Sequence, residues 1–300
     1  MSIVITGAAG FVGQNLTKYL NQKNRVTTAL SLRNPDWEIN LPSHGEAIIH
    51  LAGKAHDTAN TVVDEEYFKV NCDLTIDLFV KFLKSDFRDF FYFSSVKAVA
   101  DTVDGVLDEM KDGYPRTPYG RSKLKAEHYL LKQDLPAGKR LFIIRPCMIH
   151  GPGNKGNLNL LYKVVEKGIP WPLAEFHNQR SFLSIDNLSF LVEQMLVRSE
   201  LLSGIYNFAD DETLSTNELV TLISETLGKK PKLWHIPAAL IRTGVKLGDI
   251  LPLPLNSERL KKLTESYAVS NNKIKKALGI TQLPQTTKEG LVATIRSFQK

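Results

Sequence analysis

A glycine-rich turn near the N-terminus restricts the fold of this chain more than any other segment. The run Thr6-Gly7-Ala8-Ala9-Gly10-Phe11-Val12-Gly13 follows a predicted strand at residues 2–5 and precedes a predicted helix at residues 11–22. A sharp strand-to-helix turn needs glycine where φ is positive, where an anion approaches the backbone and where the helix packs on the strand. The helix N-terminus then offers free N–H groups to that anion. We therefore predict a site for the pyrophosphate of a dinucleotide, formed by Gly7, Gly10, Phe11, Val12 and Gly13.

Strands and helices alternate through the first half of the chain, which predicts an α/β fold with a Rossmann-type doubly wound parallel sheet. The predicted strands are residues 3–6, 25–32, 47–51, 89–94 and 140–145, and the predicted helices are residues 11–22, 64–84 and 119–132.

After residue 151 the pattern changes to a smaller, mixed α/β lobe. Here we predict helices at residues 158–167, 187–198 and 215–227, a short strand at 232–236, a loop at 251–255 and a last helix that opens at residue 286. Residues 1–150 with about 181–209 form the predicted dinucleotide-binding domain, and about 151–180 with 210–300 form the predicted substrate lobe. Ligands of such folds bind at the carboxyl edge of the sheet, over which this lobe closes.

A tyrosine and a lysine are spaced for joint chemistry in the segment Thr117-Pro118-Tyr119-Gly120-Arg121-Ser122-Lys123. Thr117 as N-cap and Pro118 at the first position predict that a helix starts here, so Tyr119 and Lys123 share one face. A nearby ammonium stabilises the phenolate and is expected to lower the pKa of Tyr119. Tyr119 is therefore a candidate general acid or base at a carbonyl or carbinol oxygen.

The ordered set of motifs resembles the extended short-chain dehydrogenases/reductases, in particular the nucleotide-sugar epimerase/dehydratase group, over nearly the whole chain. The resemblance rests on the glycine turn, Ile48-Ile49-His50-Leu51-Ala52-Gly53, Phe68-Lys69-Val70-Asn71, Phe93-Ser94-Ser95, Thr117–Lys123, Arg145-Pro146, Gly151-Pro152-Gly153, Arg180-Ser181-Phe182 and Ile185-Asp186-Asn187.

This resemblance implies an NAD(P)-dependent enzyme whose catalytic residues are Tyr119, Lys123 and Ser95, with Ser94 as the alternative register for the serine. It also implies that Leu51, Ala52, Gly53, Asn71 and Lys123 bind the cofactor, and that Ser95, Tyr119, Asn157 and Arg180 bind a UDP-sugar. The family further suggests a homodimer formed through the helices at residues 64–84 and 119–132.

The residues after the second strand favour NADP(H). NAD-specific members carry an acidic residue there for the ribose 2′-hydroxyl, whereas this chain has Ser31 and Arg33, which suit a 2′-phosphate. NAD(H) remains possible if Asp36 or Glu38 serves the ribose. The connection over residues 34–45 is much shorter than is usual in the family.

The segment Ser94-Ser95-Val96-Lys97 lacks the acid pair that a 4,6-dehydratase needs. It most resembles reductases of UDP-4-keto-6-deoxy-N-acetylhexosamines in surface-polysaccharide biosynthesis, so we expect reduction of a C4 ketone. The alternatives are a UDP-hexose or UDP-N-acetylhexosamine 4-epimerase with tightly bound NAD, and, in another class, a non-catalytic cofactor-sensing scaffold.

Composition narrows the class of protein further. The net charge of +6 is modest and scattered, and the two cysteines form neither a disulfide framework nor a metal cluster. Met1 leads directly into the first strand and no apolar run is long enough to span a bilayer. We expect a cytoplasmic protein that has no metal, no nucleic-acid partner and no membrane insertion.

Overall fold

The computed structural model describes residues 2–54, 63–154, 157–249 and 256–299. The first half comprises β1 (Ser2–Thr6), α1 (Phe11–Gln22), β2 (Val26–Leu30), β3 (His44–His50), α2 (Asp64–Phe68), α3 (Leu74–Leu83), β4 (Asp86–Phe93), β5 (Val106–Leu107), α4 (Pro118–Leu131), β6 (Arg140–Pro146) and β7 (Met148–His150). The second half comprises α5 (Asn157–Glu166), β8 (Arg180–Ser184), α6 (Ile185–Val197), β9 (Gly204–Phe208), β10 (Thr213–Leu214), α7 (Thr216–Thr226), α8 (Ala238–Gly248), α9 (Ser257–Thr264), β11 (Ala268–Val269), α10 (Asn272–Leu278) and α11 (Thr287–Ser297).

The main sheet has six parallel strands in the order β2-β1-β3-β4-β6-β9. The predicted doubly wound parallel sheet is therefore confirmed. Strand β9 was not among the predicted strands, because Gly204 and Asn207 interrupt the short apolar pattern of this segment.

Apolar side chains alternate between the two faces of the sheet, as the period of a strand requires. Ile3 and Ile5 join a cluster with α1 and α6 on one face, whereas Val4 joins a cluster with α3 and α4 on the other. Burial of both faces explains why the central strands read as continuous apolar runs.

Strand β2 lies at the edge of the sheet, and the chain returns from it to β3 without forming another strand. The return contains one short 3₁₀ turn, Trp37–Asn40, whose Trp37 side chain is buried. This is the short connection noted in the sequence. It leaves Ser31 and Arg33 exposed beyond the carboxyl end of β2.

The rest of the chain builds smaller units beside the carboxyl edge of the main sheet. Strands β10, β8 and β7 form a three-stranded sheet, and β5 pairs with β11. The predicted strand at 232–236 is wrong, because only isolated bridges join Leu233 to Trp171 and His235 to Leu173. The predicted loop at 251–255 lies outside the described residues. The division into two lobes stays a prediction.

Candidate active site

The glycine turn between β1 and α1 fits the backbone of a dinucleotide. Gly7 has φ +68°, and a Cβ there would lie 2.7 Å from the backbone nitrogen of Ala52. A Cβ on Gly13 would lie 2.4 Å from the Gly7 carbonyl oxygen, so helix and turn are in direct contact. Gly10 faces open space except for the Gly7 oxygen at 3.3 Å, and it caps α1 without a side-chain bond. The turn thus keeps an open side next to the α1 N-terminus, where Phe11 and Val12 begin the helix.

A buried chain of hydrogen bonds fixes the loop that follows β3. The Ala52 N–H donates to Thr6 Oγ1 over 3.1 Å, and Thr6 Oγ1 lies 2.7 Å from His50 Nδ1. His50 Nε2 lies 2.9 Å from Thr75 Oγ1. Burial, aided by the positive charge of Lys123, lowers the pKa of His50 to about 3, so its ring is neutral. His50 therefore acts as a structural link that holds the predicted cofactor loop of Leu51, Ala52 and Gly53.

Asn71 supports the same loop from the opposite side. It lies in a π-helical turn, Lys69–Asp73, which interrupts the single helix predicted at residues 64–84. Its Oδ1 accepts the Lys54 N–H at 2.7 Å, and its Nδ2 donates to Ser122 Oγ at 3.1 Å. The side chain is fully buried. In this structure Asn71 thus joins the loop to α4, although the resemblance implied a cofactor contact.

Helix α4 begins at Pro118, as the sequence predicted, and Thr117 caps it by accepting the Gly120 N–H at 3.2 Å. Lys123 is 5 % exposed, and its ammonium donates to the Phe93 carbonyl oxygen at 2.8 Å. Burial lowers the pKa of Lys123 to about 8, and the nearby Glu127 carboxylate opposes this shift. The site therefore holds a desolvated cation at the end of β4.

Tyr119 and Ser95 meet at the mouth of this site. Their side chains are hydrogen-bonded to each other, and Ser95 Oγ also accepts the Lys97 N–H at 3.1 Å. Burial raises the pKa of Tyr119, while the bond to Ser95 acts in the opposite direction. The net direction is the reverse of the one predicted from the Tyr–Lys spacing, because desolvation dominates. The rings of Tyr67 and Tyr119 pack edge to face, with ring centroids 6.3 Å apart.

Ser94 is directed elsewhere. Its hydroxyl donates to the buried carboxylate of Glu127, which also accepts both Nε and Nη2 of Arg145. The structure thus brings Ser95, and not Ser94, to the phenol of Tyr119. Glu127 was missed in the sequence, although it follows Lys123 by four residues on the same helical face.

On the other side of Tyr119 lies a cleft walled by α9. Its lining includes Lys97, Thr117, Lys262 and Glu265. Arg180 begins β8, and its Nη1 donates at 3.1 Å to the carbonyl oxygen of Lys262, which lines this cleft. Burial lowers the pKa of Arg180, and the charge of Glu265 opposes this. The side chain of Asn157, the other predicted substrate contact, lies outside the described residues.

The predicted cofactor-specificity residues lie on the surface. Ser31 and Arg33 are exposed, and within the described chain Arg33 forms no ion pair. Glu38, one of the two acidic alternatives, is ion-paired with Lys81. A guanidinium is thus available at the end of β2, and one of the two carboxylates is occupied elsewhere.

No group of three or more His, Cys, Asp or Glu side chains in the described part of the chain is arranged to hold a metal ion. Of the helices that the structure describes, none combines the length and the apolar character needed to cross a membrane.

The chain is similar to two 4-epimerases and one reductase that act on sugars carried on a nucleotide or on a lipid diphosphate. It is 28 % identical to UDP-glucose 4-epimerase of Vibrio cholerae, over 99 % of this chain and 95 % of that protein. It is 27 % identical to N-acetyl-alpha-D-glucosaminyl-diphospho-ditrans,octacis-undecaprenol 4-epimerase of Escherichia coli O157:H7, over 95 % and 88 %. It is 25 % identical to GDP-6-deoxy-D-mannose reductase of Pseudomonas aeruginosa, over 80 % and 84 %.

A solved structure and a family model also match this chain. The structure of RMD from Pseudomonas aeruginosa complexed with NADPH superposes with a TM-score of 0.77, at 21 % identity and over 99 % of both chains, which shows a shared fold. The family model described as NAD dependent epimerase/dehydratase family matches residues 3–209. The chain therefore belongs to the NAD-dependent epimerase/dehydratase family and is a nicotinamide-dependent enzyme of the nucleotide-sugar epimerase and reductase group.

Proposed function

We propose that this enzyme reduces the C4 ketone of a UDP-4-keto-6-deoxy-N-acetylhexosamine with NADPH. The observation that carries the proposal is the end of β2, where Arg33 is exposed and forms no ion pair within the described chain. A guanidinium binds the 2′-phosphate of NADPH well, whereas the carboxylate typical of NAD-specific enzymes would repel it. Strand β2 lies at the edge of the sheet and both Ser31 and Arg33 are exposed, so a 2′-phosphate can reach them from solvent.

The state of the phenol supports the reductive direction. A tyrosine phenol is ordinarily neutral at pH 7, and burial raises the pKa of Tyr119 further, so ionisation to phenolate is disfavoured. A reduction needs a proton donor at the forming C4 alkoxide, whereas an oxidation needs a base there. Tyr119 is therefore in the protonation state that a reductase uses.

The proposed reaction assigns a role to each of the other predicted site residues, Ser95, Tyr119, Lys123 and Arg180. When bound, the cofactor supplies the hydride that reaches C4. Ser95 donates a hydrogen bond to the C4 oxygen, Tyr119 gives its proton to the same atom, and Lys123 binds the nicotinamide ribose. Arg180 binds the diphosphate of the substrate, since its fork matches phosphate oxygens.

A 4-epimerase with tightly bound NAD is the second candidate. It is favoured by the similarity to two 4-epimerases at 28 % and 27 % identity, both somewhat above the 25 % of the reductase. In such an enzyme the same Tyr119 would first accept a proton and later return it.

Cofactor exchange separates the two candidates. The purified enzyme is denatured and the released nucleotide identified, and NADPH and NADH affinities are then measured by titration. Weak, exchangeable binding with NADPH preferred, and NADPH oxidation on addition of a UDP-4-keto-6-deoxy sugar, would support the reductase. Retained NAD, with interconversion of UDP-hexoses without added cofactor, would overturn it in favour of the epimerase.

A further inference from the structure

A buried ion pair lies beneath Tyr119 and Lys123 and has no role in the reaction as proposed. Glu127 is fully buried and Arg145 is 4 % exposed. Arg145 Nε lies 3.1 Å from each carboxylate oxygen of Glu127. Removing two charges from water is costly, so a buried pair of this kind is weak evidence for stability alone.

The Glu127 carboxylate is hydrogen-bonded to the end of β4, next to Ser95. Ser94 donates its hydroxyl to Glu127, and Ser94 directly precedes Ser95 in the chain. One helical turn earlier on α4, Lys123 donates to the carbonyl oxygen of Phe93. Lys123 and Glu127, on the same face of α4, thus form hydrogen bonds with two consecutive residues, Phe93 and Ser94, immediately before Ser95.

We propose that Glu127 is a positioning residue of this active site: through Ser94 it fixes Ser95 beside Tyr119, and its charge, oriented by Arg145, keeps Lys123 protonated in its buried position. The roles of Ser95 and Lys123 in this statement rest on the proposed function. Glu127 itself does not line the cleft beside Tyr119.

The electrostatic part follows from the surroundings of the Lys123 ammonium. The titratable and charged groups next to it are His50 on β3, Tyr92 on β4 and Glu127 on α4. Tyr119 precedes it by one turn of α4, and the guanidinium of Arg145 on β6 lies on the Glu127 carboxylate. His50 is neutral, and burial keeps the pKa of Tyr92 well above its ordinary value. Among these groups Glu127 is the one anion at neutral pH, so it alone favours the charged form of Lys123.

The test measures cofactor affinity as a function of pH, which needs no turnover. NADPH, or NADH if it binds more tightly, is titrated from pH 6 to 10. Wild-type affinity should fall as pH rises through about 8, where Lys123 loses its proton. Lys123→Met should remove this fall. In Glu127→Gln the pH at which affinity falls should be at least one unit lower than in the wild type, because the neutral amide no longer favours the ammonium of Lys123. Glu127→Asp, which retains the charge, should leave it near 8.

Two further variants separate positioning from folding. Ser94→Ala should lower kcat at least tenfold and leave the pH of the affinity change in place. If Glu127→Gln does not fold, the paired change Glu127→Leu with Arg145→Met removes both charges. A downward shift smaller than in Glu127→Gln is then expected, because loss of the Arg145 cation partly offsets loss of the carboxylate.

The outcomes are distinct. A Glu127→Gln or paired variant whose affinity still changes at the wild-type pH would overturn the proposal, as would a wild-type affinity that is flat between pH 7 and 9.5. If no nucleotide sugar is turned over, the proposed function fails, but the affinity profiles still decide the role of Glu127 toward Lys123.

Discussion

Gly120 is the residue at which one methyl group should disturb the site most. It follows Tyr119 in α4 and packs against the short 3₁₀ turn Val96–Ala98, which Ser95 caps. A Cβ at this position would lie 2.4 Å from the Lys97 carbonyl oxygen and 2.7 Å from Pro115 Cβ. Non-bonded carbon contacts are favourable at about 3.5–4.0 Å, so Gly120→Ala must separate the helix from the turn by about 1 Å. This displacement would increase the distance between the Tyr119 phenol on the helix and the Ser95 hydroxyl beside the turn.

The size of the effect follows from this displacement. A misplacement of about 1 Å between reacting groups costs up to about 100-fold in rate, so kcat of Gly120→Ala should fall by about 10- to 100-fold. Overpacking costs about 1–3 kcal/mol, whereas replacing glycine in a helix gains at most about 1 kcal/mol. We therefore expect Gly120→Ala to have a lower free energy of unfolding by up to about 2 kcal/mol.

The matched control is Gly244→Ala in α8, where no atom lies within 4 Å of the added Cβ. This variant should be as active as the wild type and up to about 1 kcal/mol more stable, since only helix propensity changes. Steady-state kinetics and urea unfolding measure both quantities. If Gly120→Ala retains the wild-type kcat and urea midpoint, the tight contact inferred between α4 and the Ser95 turn is wrong.

Three further substitutions test individual roles. Tyr119→Phe should bind cofactor normally and lose turnover, because only the proton donor is removed; turnover at the wild-type rate would assign that proton to another group. Arg33→Ala should weaken NADPH binding by about tenfold, the typical effect of one charge-assisted bond, and spare NADH; equal losses would contradict the 2′-phosphate argument. Ser95→Ala should lower kcat by about 100-fold or more, and a larger loss in Ser94→Ala would restore Ser94 as the catalytic serine.

Local patterns in the sequence predicted much of the fold. The capping boxes at Ser215 and Thr286 open α7 and α11 as expected, because serine or threonine followed three residues later by glutamate satisfies two backbone N–H groups locally. The parallel sheet followed from alternating strands and helices. Strand β9 was missed because its pairing with β6 is a long-range contact that its own five residues do not encode.

The candidate site was predictable only in part. The spacing of Tyr119 and Lys123 follows from helix geometry, but the choice between Ser94 and Ser95 depends on where Glu127 lies in three dimensions. Likewise, the direction of the Tyr119 pKa shift depends on desolvation, which sequence spacing does not reveal. Ser94, Glu127 and Arg145 follow or lie on three separate elements, so their contacts form only when the chain folds and are not visible in the sequence.

The buried charge of Lys123 predicts that this enzyme gives up stability for its active site. Burial lowers the pKa of Lys123 from 10.5 to about 8. At about 1.4 kcal/mol per pH unit, the charged side chain destabilises the fold by about 3 kcal/mol at pH 7. Between pH 8 and 10.5 the unfolded chain binds more protons than the folded one, so this cost disappears as pH rises.

Lys123→Met should therefore be about 2–3 kcal/mol more stable than the wild type at pH 7 and inactive, and the two proteins should converge near pH 10.5. Urea unfolding at pH 7, 8.5 and 10 measures the difference, and the exposed Lys246→Met on α8 serves as a control that changes stability by less than about 0.5 kcal/mol. A Lys123→Met variant that is less stable at pH 7, or a difference independent of pH, would mean that the ammonium is well solvated in the folded enzyme. Selection would then have kept Lys123 without any cost in stability.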